Sequence, residues 1–77
     1  MSESRTPEPF WLQRHVDETG VSGTGFVAEG VQFTDGAVVI RWHGLHASTV
    51  VWDSLDDAMF VHGHDGKTTV VWAPLPK

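Results

Sequence analysis

Histidine has the widest chemical scope of any residue type in this chain, and four of the five occur in two closely spaced groups, His43-x-x-His46 and His62-x-His64-Asp65. Imidazole and carboxylate at such spacings suit zinc or another divalent ion, but a metal centre needs three or four ligands converging on one point. Two separate pairs do not by themselves provide that. The expected roles are structural: His62 on a helix face, His64 at the helix C-terminus, His43 and His46 in solvent. No metal ligand and no cofactor is assigned, and a histidine-based metal-binding protein or hydrolase is kept as an alternative.

Two other patterns have chemical potential. Gly20-Val21-Ser22-Gly23-Thr24-Gly25 could turn several backbone amides toward an anion, yet phosphate loops of that kind lead into a helix N-terminus and this one leads into a strand. Its glycines are expected to permit a tight corner. Ser22, Ser48 and Ser54, with the histidines and aspartates, supply the residue types of a nucleophilic triad. No G-x-S-x-G elbow singles one out. Asp56 and Asp57 are adjacent carboxylates in the first turn of a predicted helix, where dipole compensation accounts for them. The chain is read as having no catalytic residue.

These groups would be positioned by one small core, because 77 residues leave no room for a second domain or a deep cleft. Hydrophobic residues make up 40% and charged residues 19%, a composition that folds. Cysteine is absent, which removes disulfides and thiolate chemistry and favours an intracellular, cytoplasmic setting. There is no signal-peptide pattern and no apolar run long enough to span a membrane. Ten acidic against five basic residues give a net charge of −5, and the basic positions (Arg5, Arg14, Arg41, Lys67, Lys77) form no continuous track. A nucleic-acid-binding small barrel is therefore only a further alternative.

Residues 1–9 read as a flexible arm, 10–73 as one domain and 74–77 as a tail. Phe10–Val16 alternates at period two and predicts a first strand, followed by a turn-rich loop at 17–25. In 26–33 the apolar phase changes between Ala28 and Val31, which predicts a bulge at Glu29-Gly30 that bends the second strand. Thr34-Asp35-Gly36 predicts a hairpin into a third strand at 37–43. Gly44–Ala47 turns into a fourth strand at 48–52. Leu55, Ala58, Met59 and His62 then share a helical face, with Asp53 or Ser54 as cap and Gly63 as stop. Thr68–Ala73 gives the fifth strand. The order β-β-β-β-α-β predicts a mainly β fold, a small five-stranded SH3-like barrel. Its expected core is Leu12, Val16, Phe26, Ala28, Val31, Phe33, Val38, Ile40, Val50, Leu55, Met59 and Val70.

Val21-Ser22-Gly23-Thr24-Gly25, Ala28-Glu29-Gly30-Val31 and Val61-His62-Gly63-His64 resemble a group of small proteins of actinobacteria, their bacteriophages and haloarchaea. The resemblance spans about residues 10–72. It implies no activity, substrate or catalytic residue, but it does imply an intracellular accessory protein, encoded by a phage and acting on a host component.

Four tryptophans and four phenylalanines in 77 residues exceed what so small a core can hold. Strands three to five are apolar on both faces, so Trp11, Val39, Val51, Phe60 and Val71 are expected outside it. An exposed patch of this kind marks an interface, with a protein partner or with a second copy. The competing expectation is a two-sided sheet whose second face is covered by the helix and the N-terminal arm.

Overall fold

The computed structural model describes residues 6–15, 24–63 and 66–73. The chain forms β1 (Glu8–Arg14), β2 (Gly25–Gln32), β3 (Val38–Trp42), β4 (Ser48–Trp52), α1 (Leu55–His62) and β5 (Thr68–Trp72). Val16, residues 17–23, His64, Asp65 and the terminal segments 1–5 and 74–77 lie outside the described residues.

All neighbouring strands are antiparallel, and the sheet order is β4-β3-β2-β1-β5. The first four strands form a meander, and the helix then returns the chain so that β5 lies on the free edge of β1. The fold is mainly β as predicted, but the sheet is not closed: β4 and β5 are its two edges. The expected SH3-like barrel closure is therefore not observed. In its place α1 lies over one face and seals it with Ala58, Leu55 and Met59.

The bulge at Glu29-Gly30 that the sequence predicts, and that would bend β2 toward closure, is absent. β2 and β3 run in unbroken register from Ala28↔Trp42 through Gly30↔Ile40 to Gln32↔Val38. The irregularity falls earlier, between Leu12↔Ala28 and Gln13↔Phe26, where Val27 is the extra residue. A bulge lets consecutive residues turn the same way, and Val27 and Ala28 are both buried. Phe26 is thereby turned to the other face and is 44% exposed. Val31 also lies on that other face, opposite Val39. Phe33, beyond the strand end, is likewise exposed. These three residues leave the expected core, and Phe10, Val27 and Ala58 join Leu12, Ala28, Val38 and Ile40 in it. Leu55, Met59 and Val70 pack against it with Trp42 and Trp52.

Gly30 has a different reason to be glycine. Its Cβ would lie 2.6 Å from Phe10 Cζ and 2.6 Å from the Val39 carbonyl oxygen. The Phe10 ring therefore occupies the space a side chain would need, and this close approach, not a bulge, fixes the residue.

The turns follow local chemistry. Gly36 takes φ +98°, and the Ala37 amide donates to Asp35 Oδ1 at 3.0 Å, so Thr34-Asp35-Gly36 closes the β2–β3 hairpin as its sequence predicts. Ser54 caps α1, accepting from the Asp57 amide at 3.1 Å, and Asp56 and Asp57 occupy the first turn.

Candidate functional site

Register determines which side chains share each face. On the face covered by α1, β1 contributes Phe10, Leu12 and Arg14. Their neighbours across the sheet are Ala28, Gly30, Ile40, Trp42, Val50 and Val70. His62 reaches down from the helix to Trp42 and Trp52, with ring centroids 4.9 and 5.7 Å away. Arg14 lies 5.8 Å over the Trp42 ring, a cation–π contact.

The opposite face has no covering element among the described residues. Trp11 stands on β1 between Glu29 of β2 and Val71 of β5. Val31, Val39 and Val51 run in register across β2, β3 and β4. Phe26 and His43 meet the Trp11 ring edge-on, with centroids 6.0 and 6.5 Å away. Both contacts have the edge-to-face geometry that aromatic rings prefer. Pro9, Trp11, Glu29, Val31, Val39 and Arg41 line an apolar-floored groove of about 340 Å³. Val51, at the β4 side of this face, is 68% exposed.

Polar groups share this face with the apolar ones. Glu29 Oε2 accepts from His43 Nε2 at 3.2 Å, and Arg41 Nη1 donates to Thr49 Oγ1 at 2.9 Å. His15 and Thr69 are hydrogen-bonded at 2.9 Å. Glu29 and Arg41 thus stand in the same cross-strand row as Trp11 and Val71, and Val31, Val39 and Val51 form the adjacent apolar row.

Of the five candidate interface residues, four come together: Trp11, Val39, Val51 and Val71 share the uncovered face. Phe60 does not join them. It is 89% exposed on α1, and the helix lies on the other side of the sheet. Phe26 and Val31 are members of the face that the sequence reading placed in the core. The run Phe26-Val27-Ala28, three apolar residues in succession at the start of a strand, was the available signal for a bulge there.

The histidines do not gather. His43 is on the uncovered face against Glu29 and Trp11, whereas His62 is on the covered face against Trp42 and Trp52. Among the described residues no group of three or more His, Asp or Glu side chains is placed to hold a metal ion. Asp56 and Asp57 are exposed in the first turn of α1. No helix among the described residues is long and apolar enough to cross a membrane.

No curated protein and no solved structure gives a significant match to the chain. A family described as Acb5 phage protein matches residues 7–74. That span takes in all five strands and the helix, and the chain belongs to the Acb5 phage protein family.

Proposed function

We propose that the chain is a noncatalytic accessory protein, encoded by phages of actinobacteria, that works in the host cytoplasm by binding a host protein through the uncovered face of its sheet. The observation that carries this reading is the convergence of Trp11, Val39, Val51 and Val71, from four different strands, on a face that no described element covers. The partner surface it fits is apolar and narrow: an aliphatic or aromatic ridge that enters the groove between Trp11 and Val39, with polar groups meeting Glu29 and Arg41 along the groove and His43 beyond it. Interfaces are commonly built so, around a buried aromatic anchor.

Charge supports a protein partner over nucleic acid. Arg41 shares its face with Glu29, and Arg14 lies on the opposite face over Trp42. The described basic residues thus form no track along one surface. The test is affinity capture from infected host cells with three baits. A specific partner should be held by the wild type and by Phe60→Ala, and lost by Trp11→Ala. Equal capture by all three would remove the uncovered face from the function.

A further inference from the structure

We infer that the free edge of β4 pairs with β4 of a second copy, in antiparallel register about a two-fold axis centred on Val51. This contact uses the backbone edge of β4, meets the uncovered face only at Val51 on its margin, and does not rest on the reading above. β4 is one outer strand of the sheet, and nothing among the described residues pairs with its free side. Soluble proteins blunt such edges with lysine, proline, a bulge or a very short strand. Ser48-Thr49-Val50-Val51-Trp52 carries no charge and no proline, and it keeps five consecutive partners on β3 without a register shift. The other edge differs: β5 is preceded by Lys67 and followed by Pro74 and Pro76.

Three features point to an identical chain as the occupant. A net charge of −5 opposes self-association in general, yet this strand is neutral. Arg41 of β3 reaches Thr49, and Asp53, the next residue along the chain, would face Thr49 of the other copy and lie about 14 Å from its own counterpart in the Val51-centred antiparallel register, against about 5 Å in a parallel one. Only registers that place a residue opposite itself keep each face continuous, because a shift of one residue would put the helix of one copy beside the open face of the other. Among these, the Val51-centred register opposes Val51 to Val51 and Val50 to Trp52, giving apolar pairs on both faces. The Val50-centred register opposes Val51 to Thr49 and Trp52 to Ser48, which are mixed pairs. The resulting ten-stranded sheet closes as an isologous dimer. Both Trp11 faces then lie on the same side.

The native absence of cysteine allows a direct test. Val51→Cys, Thr49→Cys and Val71→Cys are each oxidised mildly and run on non-reducing gels, after the reduced proteins are shown to melt like the wild type. In parallel the unmodified wild type is followed by sedimentation velocity from micromolar to millimolar concentration. The expected result is a wild-type dimer that Val51→Lys dissociates and Trp11→Ala leaves intact, with crosslinking by Val51→Cys at least ten-fold faster than by the other two variants. A wild type that stays monomeric overturns the proposal, as does crosslinking by Thr49→Cys or Val71→Cys that equals or exceeds that of Val51→Cys. Loss of the dimer in Trp11→Ala also overturns it, by moving the contact to the open face.

Discussion

Gly30→Ala should destabilise the protein, and the sign is the informative part. In a strand interior this exchange usually stabilises, by roughly 0.5–1 kcal/mol, because glycine gives up more freedom on folding. Here the added methyl would sit 2.6 Å from Phe10 Cζ, 2.9 Å from Phe10 Cε1 and 2.6 Å from the Val39 carbonyl oxygen. Phe10 is 1% exposed, so its ring has no open space to retreat into, and the carbonyl belongs to a strand paired on both sides. Overpacking of this kind costs about 1–3 kcal/mol, enough to overcome the entropic gain. Gly30→Val, with two more carbons on the same vector, should cost more. Urea unfolding followed by tryptophan fluorescence gives the midpoint. Pairing Gly30→Ala with Phe10→Leu should recover part of the loss that the two changes would cause separately, since the shorter side chain vacates the contested volume. A midpoint for Gly30→Ala equal to or above that of the wild type would refute the close-approach explanation.

Ile40→Ala removes a fully buried side chain from the middle of the sheet and should cost about 2–5 kcal/mol, a large share of the roughly 4–12 kcal/mol available to a domain of this size; the urea midpoint reads it. Ser54→Ala deletes the acceptor of the Asp57 amide and should cost about 1 kcal/mol, seen as a lower midpoint and restored by Ser54→Asp. Trp11→Ala forfeits two edge-on ring contacts, about 1–3 kcal/mol together, so Tm measured on the monomer should fall by about 4–8 °C per kcal/mol without loss of the folded state at room temperature.

The fold was legible to the extent that its signals were local. Element order, the Asp35-Gly36 hairpin, the Ser54 cap and the Leu55–Ala58–Met59–His62 helix face each follow from neighbouring residues, and the structure contains them all. The open sheet was not legible, because closure depends on how far β2 bends, and bend and bulge leave similar traces in hydrophobic phase. A phase change between Ala28 and Val31 fits a bulge at Gly30. It fits equally a bulge at Val27 with a regular strand beyond it, and only the partners on β1 and β3 distinguish them. Phe26, Val31 and Phe33 were misplaced for that one reason. The outer face was easier to read. Surplus aromatic and β-branched residues on strands apolar on both sides predicted an outer face, and Trp11, Val39, Val51 and Val71 occupy it together. Phe60 is exposed as its sequence predicts but lies apart from these four, because the side of the sheet on which α1 lies depends on tertiary packing.

The most direct test of the central claim is calorimetric titration of the captured host protein into wild type, Trp11→Ala and Phe60→Ala, with melting curves of each free variant. An anchor residue is worth about 2 kcal/mol or more, close to 30-fold in Kd. The expected result is a Kd at least that much weaker for Trp11→Ala, which remains folded at the titration temperature, and an unchanged Kd for Phe60→Ala. A Kd for Trp11→Ala within a few-fold of wild type, or a loss that follows unfolding of the free variant, would contradict the assignment of the uncovered face as the binding surface.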